Sequence, residues 1–491
     1  MRKIVSFVFL CVLGFVAAMA SGNAYGDLYK NLPFSMPQVT APVFPDRSVN
    51  LVDYGAKGDG SSLCTTAFAK AIGELSGKGG GTLIVPQGVW FTGPIVLKSN
   101  INLHLEKGAI ILFTPDIDQY PLIETSFEGL DTRRCQSPIS GINLTNVAIT
   151  GQGVIDGNGE YWRPLKRAKV TASQWKTITS RGGGFRDKNY WLPYEGTLKG
   201  ERMSDMNVPM GLKTDAEWES IKPFLRPVMV SLVSCKNVWL QGVIFQNSPA
   251  WNLHPLMCEN LLVEGVEVRN PSYAQNGDGI DVESCKNVLV VNSKFDVGDD
   301  GICIKSGKDA DGRKRGIPTE NVIINGCTVF KGHGGFVVGS EMSGGVKNIV
   351  VSDCQFLGTD VGLRFKSKRG RGGIVENIFV KNISMFDIVT DAVTFDLYYG
   401  GKSAVEDLEE GKSVDVKKMP VDETTPQFRN IDIEDVVCRG ARRALYFNGL
   451  PEMPIKNITL KNIHISAQHD AEFHYSEGIK KENVQITVTK K

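Results

Sequence analysis

An asparagine followed by alternating β-branched or Leu residues recurs along this 491-residue chain and narrows the possible folds more than any other feature. It appears in CKNVWLQGVIFQNS from Cys235, CENLLVEGVEVRNP from Cys258, CKNVLVVNSKFDVG from Cys285 and TENVIINGCTVFKG from Thr319. It returns from Val346, Val375, Phe428 and Ile455, so the marker falls at Asn237, Asn260, Asn287, Asn321, Asn348, Asn377, Asn430 and Asn457. Successive markers lie 23 to 34 residues apart, except for one gap of about twice that before Asn430. Asn100 and Asn146 open similar runs. Each unit holds two or three short alternating runs broken by Gly, Asn and Asp, which is a strand pattern. Strands this short cannot bury a face alone, so the units must stack. Unit length and strand-only content predict a right-handed parallel β-helix, with the Asn side chains forming a ladder along one turn. A leucine-rich repeat needs a Leu-x-x-Leu-x-Leu frame that is absent, and a propeller needs longer units. The 53 glycines suit a turn-rich β architecture.

Three segments depart from the repeat. Residues 1–20 combine MRK, an apolar run and Ala18-Met19-Ala20 before Ser21, the pattern of a signal peptide for a secreted or periplasmic protein. No later run approaches membrane-spanning length. Beyond Cys11 the remaining cysteines are odd in number and scattered, which is not a disulfide framework. Ser62 to Leu75 has helical spacing and is followed by GKGGG, so a helix is expected there, capping the first coil. From about residue 160 to 227 the alternation is lost, and Trp162, Trp175, Tyr190, Trp191, Tyr194 and Trp218 cluster. That insertion is either an elaboration with its own small core or an aromatic wall beside a sugar cleft. Residues 49–491 otherwise read as one domain. A net charge of +1 lacks the basic excess of a nucleic-acid binder, though it leaves room for a local basic patch.

The chemistry gathers where apolar cores align: DGIDV from Asp278, DGICI from Asp300, GGFVV from Gly334 and VGLRF from Val361. In that register Ile280, Val282, Ile302, Ile304, Phe336, Val338, Leu363 and Phe365 point inward, because side chains alternate along a strand. Asp281, Cys303, Val337 and Arg364 then point outward, as do Glu283, Lys305, Gly339 and Lys366. Neighbouring coils are about 4.8 Å apart. Asp278 and Asp300 become neighbours, Asp299 sits one position back, and His333 falls beside it one coil on. Three carboxylates, an imidazole, a guanidinium and an ammonium thus share one face. Crowded carboxylates cannot all ionise easily, so one can hold a proton at working pH. An acid and a base across a glycosidic bond is what sugar hydrolysis requires. Arg364 and Lys366 offer an exposed basic pair for an anionic sugar. Asp309 and Asp311 in KDADGRKRG resemble half a calcium loop, but the other ligands are missing, and no metal or cofactor is expected.

The sequence from about Val49 onward resembles the polygalacturonase family of glycoside hydrolases. Four family motifs occur in order: NGD at Asn276–Asp278 with Gly277 for the usual Thr, GDD at Gly298–Asp300, GHG at Gly332–Gly334, and RFK at Arg364–Lys366 with Phe365 for Ile. The resemblance implies hydrolysis of pectic galacturonosidic bonds with inversion. It implies Asp299 as general acid, Asp278 and Asp300 holding the attacking water, and His333 supporting the acid. Arg364, Lys366, Tyr398, Asn276 and Lys305 are the implied substrate contacts, with Tyr398 preferred to Tyr399. The long insertion and GSEMSGGV from Gly339 look like those of exo-acting bacterial members. The competing readings are hydrolysis of rhamnogalacturonan or decorated pectin by a member of the same family, calcium-dependent β-elimination by a pectate lyase, and non-catalytic glycan binding.

Overall fold

The computed structural model describes residues 25–205, 207–401 and 417–489. The expected signal peptide, residues 1–20, lies outside them. Among the described residues no helix is long and apolar enough to cross a membrane. The chain winds into a right-handed parallel β-helix whose strands form a 21-stranded sheet and an 11-stranded sheet. The smaller sheet carries the aligned motifs. Its strands are β1 (Ile95–Val96), β2 (Ile139–Ile142), β3 (Val230–Val233), β4 (Leu253–Leu256), β5 (Ile280–Glu283), β6 (Asp300–Lys305), β7 (Gly334–Val338), β8 (Leu363–Lys366), β9 (Asp391–Asp396), β10 (Arg443–Asn448) and β11 (Glu472–His474).

The expected register is observed. Ile280 pairs with Ile302, Ile302 with Phe336 and Phe336 with Leu363. All four are buried in the central core. Phe365 and Phe395 stack in adjacent coils with ring centroids 4.3 Å apart. The Asn ladder is also present: Asn146 donates to Asn100, Asn237 to Asn146, Asn260 to Asn237, and the series continues through Asn287, Asn321 and Asn348 to Asn377. Each ladder residue sits at positive φ, which Asn tolerates better than most side chains. A second ladder, not anticipated, alternates Asp and Asn: Asn382 donates to Asp353, Asn462 to Asp435 and Asn483 to Asn462. The nine described cysteines are all buried and free.

Helix α1 (Thr65–Gly77) covers the first coil with Ala67, Phe68, Ala71, Ile72 and Leu75. It starts three residues later than expected because Asp59 accepts hydrogen bonds from the Ser61 and Ser62 amides, which makes GDGSS a turn. Residues 25–41 lie across the outer face of the large sheet, with Val39 buried beside Leu262, Leu289, Val291 and Ile323. The insertion folds into short helices and a three-stranded antiparallel sheet. Trp162 packs with Tyr120, Cys135, Ile221, Phe224 and Leu225 in a separate small core.

Candidate active site

Because β5 to β8 stack in register, residues at their leading edges converge. His333 Nδ1 lies 2.9 Å from Asp299 Oδ1, and its amide donates to the Asp299 carbonyl at 2.9 Å. Gly332 makes that approach possible, since a Cβ there would stand 2.6 Å from the same carbonyl. The Lys366 ammonium is 2.6 Å from Asp300 Oδ2, and Arg364 is 3.6 Å from Asp300 Oδ1. One oxygen from each of Asp278, Asp299 and Asp300 lies within 4.8 Å of the others. Such a trio could ligate a cation, but Lys366 already occupies Asp300. The Gly277 departure from the family motif has a steric cause: a Cβ there would meet the Ala274 Cβ at 2.6 Å.

The carboxylates differ in electrostatic setting. Burial raises the Asp278 carboxyl well above its usual range, and the nearby Asp281 and Asp299 charges add to this. Burial also opposes ionisation of Asp299, yet the charges of His333, Lys366 and Lys169 hold it below the ordinary carboxylate range. Asp281 is likewise raised by burial and has no hydrogen-bond partner on either oxygen among the described residues. Lys305 lies 3.6 Å from it and 2.9 Å from Glu341, with its ammonium over the Trp251 ring at 4.7 Å.

Of the expected site residues, Asp278, Asp299, Asp300, His333, Asn276, Lys305 and Lys366 line one cleft. Asn276 also braces the structure, accepting from the buried Arg226 at 2.9 Å. Arg364 and Lys366 were expected on an exposed face, but they are only 4% and 5% exposed. Both cations pair with Asp300 and pack against the Tyr399 ring, and Arg364 donates to the His333 carbonyl. The structure turns Tyr398 aside, with Arg369 over its ring, and places Tyr399 against the cleft instead. After β9 the backbone at Tyr398 bridges to Lys368, so the next side chain falls over Lys366, whose ammonium is 4.8 Å from the Tyr399 ring. Among the described residues no aromatic of the insertion lines the cleft, and Trp162, Tyr190 and Trp191 are buried within it. Its cleft-facing residues are Lys166, Lys169 and Asn207. The basic run in PLKRAKV was the available signal for the two lysines. Glu128, also unanticipated, enters the cleft from the tip of a hairpin formed by residues 122–127 and 130–135. The KDADGRKRG segment is a helix, Asp309–Arg315, in which Asp309 pairs with Arg371 at 2.6 Å.

Comparison with known proteins places this geometry in context. The sequence model of Glycosyl hydrolases family 28 matches residues 219–485. The chain is 30% identical over 433 residues to a probable polygalacturonase of Vitis vinifera, covering 86% of this chain and 75% of that protein. It is 29% identical over 399 residues to an exo-poly-α-D-galacturonosidase of Dickeya chrysanthemi, covering 78% of this chain and 64% of that one. The crystal structure of a hyperthermoactive exopolygalacturonase from Thermotoga maritima matches with a TM-score of 0.73 at 33% identity, covering 91% and 94% of the two chains.

Proposed function

The chain belongs to glycosyl hydrolases family 28, and on that footing we propose that it hydrolyses α-1,4-galacturonosidic bonds of polygalacturonate, from a chain end and with inversion. The observation that carries the reading is the convergence of Asp278, Asp299, Asp300, His333 and Lys366 from successive coils on one cleft. Asp299 protonates the glycosidic oxygen as the bond to the leaving sugar breaks. Asp278 and Asp300 hold the water, and its proton passes to Asp300 as its oxygen attacks the anomeric carbon. Lys366, Lys169 and Lys166 supply positive charge for galacturonate carboxylates, and Tyr399 supplies the aromatic face. The leader 1–20 exports the enzyme to its polymer substrate.

The charges of His333, Lys366 and Lys169 favour the charged form of Asp299, so the acid must gain its proton as substrate arrives. A galacturonate carboxylate beside Lys366 and Lys169 offsets the two lesser of the three charges that hold Asp299 down, His333 being the largest, and its own charge raises Asp299 further. Substrate binding therefore arms the acid. The pKa governing loss of activity at high pH will be higher in the kcat profile than in the kcat/KM profile. Equal values would remove this step.

The exo reading is supported by the Glu128 hairpin and the insertion, which wall one side of the cleft. Inversion is supported by the family motifs rather than by carboxyl spacing. Inverting pairs usually stand roughly 6.5–9.5 Å apart, wider than the nearest oxygens here. NMR of the fresh product decides: a β-anomer first means inversion. Sizing products of polygalacturonate over time tests the rest. Monomer or dimer from the start is expected, and a ladder of intermediates would overturn end-directed action. Asp299→Asn should lower kcat about 10²–10⁴-fold; normal turnover by that variant would sink the assignment.

A further inference from the structure

Phe127 pairs with Leu130 across the hairpin, leaving Glu128 and Gly129 as a two-residue turn with φ of 50° and 73°. Such turns are ordinarily filled by Asn-Gly, Asp-Gly or Gly-Gly. A side chain such as glutamate is disfavoured in the left-handed region, and residues held this way gather at ligand sites. A hairpin tip is also normally in water, yet Glu128 is only 5% exposed. Its Oε1 accepts a hydrogen bond from Asn207 at 2.5 Å. Its Oε2 has no hydrogen-bond partner among the described residues. The Lys308 ammonium stands 3.9 Å from that oxygen, close enough for charge attraction but not for a hydrogen bond. The Lys308 ammonium is itself buried without a hydrogen-bond partner.

The turn is fixed in place. The Gly129 carbonyl accepts from the Lys308 amide at 3.0 Å, and a Cβ on Gly129 would stand 2.6 Å from that nitrogen. Buried Arg134 ties the hairpin to the insertion through the Arg226 and Asn207 carbonyls. Arg315 holds its flank through Ser126 and Asp131. A fixed turn therefore holds Glu128 in the lining of the cleft with one buried carboxylate oxygen unpartnered.

A buried acceptor without a partner is destabilising, and a sugar hydroxyl can satisfy it. We propose that Glu128 determines specificity for the chain end: its free oxygen accepts a hydrogen bond from the terminal hydroxyl of the polymer. An internal galacturonate has no such hydroxyl, because the same oxygen is joined to the next sugar. The proposal rests on the hydrolase reading above and names the residue that enforces its end-directed mode. Asn207 is a positioning residue that aims the carboxylate.

The test compares trigalacturonate with two end-modified forms. One carries a 4,5-unsaturated non-reducing unit, which lacks the 4-hydroxyl, and the other is reduced with borohydride at the reducing end. Wild type should prefer the intact trimer over one of the two by at least ~10²-fold in kcat/KM, since a site built to bond a hydroxyl rejects its absence strongly. Which form is rejected identifies the end. Glu128→Gln should cut that preference at least ~10-fold, mainly through KM on the intact trimer. Asn207→Ala should cut it in the same direction, and it serves as the test if Glu128→Gln does not fold. A purely structural Glu128 would shift the unfolding temperature and leave the preference intact. Equal use of all three trimers by wild type, or an unchanged preference in folded Glu128→Gln, would overturn the proposal while leaving hydrolysis standing. No hydrolysis of intact polygalacturonate by wild type would overturn both.

Discussion

Replacing Lys366 by Met isolates the tightest charge contact in the cleft. Its ammonium lies 2.6 Å from Asp300 Oδ2, and both residues are almost wholly buried. At an effective dielectric near 20 the gross attraction at that distance is about 6 kcal/mol. Much of this is offset by the cost of taking both ions from water. What the substitution reveals is the cost of leaving Asp300 buried with Arg364 at 3.6 Å and the weak Cys303 thiol donor at 3.8 Å, an expected loss of about 3–5 kcal/mol in stability. Asp300→Asn added to Lys366→Met removes the stranded charge, so the double variant should be more stable than Lys366→Met alone. Denaturant midpoints of the four proteins in the cycle measure this. The two single effects should miss additivity by more than about 1 kcal/mol, since contacting charges couple. Additive effects would mean that Lys366 and Asp300 do not form the pair described. Activity on polygalacturonate should fall in Lys366→Met and stay low in the double variant, because stability returns without the charge.

Asp278 gives a pH test. Its folded pKa lies above the unfolded value, so its contribution to stability is complete below about pH 4 and is lost as pH rises toward the folded pKa. Asp278→Asn should therefore match wild type in denaturant midpoint near pH 3.5 and exceed it near pH 7, while losing activity; a constant difference across that range would contradict the buried, raised carboxyl. In the ladder, Asn321 donates to Asn287, accepts from Asn348 and has a φ of 58°. Asn321→Ala should cost about 2–3 kcal/mol by chemical denaturation, and Asn321→Gly about 1 kcal/mol less because glycine adopts that φ freely. Equal losses would show that the backbone conformation is not a source of the cost.

The stack was legible because its rules are local and repeated. Alternation fixed which of Ile280, Asp281 and Val282 faces inward, and the coil-to-coil pairing of Asp278 with Asp300 followed. What stayed hidden depends on chain leaving the stack. Tyr398 and Tyr399 follow β9 in a turn whose bridge to Lys368 no periodicity announces. The tryptophans of the insertion fit either a small core or a sugar wall in the sequence; an excursion that long has to bury something of its own, and Trp162 and Trp191 are what it buries. Glu128 lies far upstream of the acidic motifs, in a hairpin whose sequence FEGL shows a turn but not its destination. The second ladder escaped notice because Asp353 and Asp435 alternate with Asn382 and Asn462, which share geometry but not residue type.

The coil-to-coil pairing of β5 to β8 has one further consequence. Hydrogen bonds between strands act as a ruler for the distances between reacting groups, so the gap between Asp299 and its partners is a repeat distance of the fold and not the setting of a flexible loop. Heat or a surface insertion can loosen the walls without widening that gap, because widening it would require adjacent rungs to separate. Loops around such a site are free to diverge, changing which end of a polymer is admitted while the cutting distance stays constant.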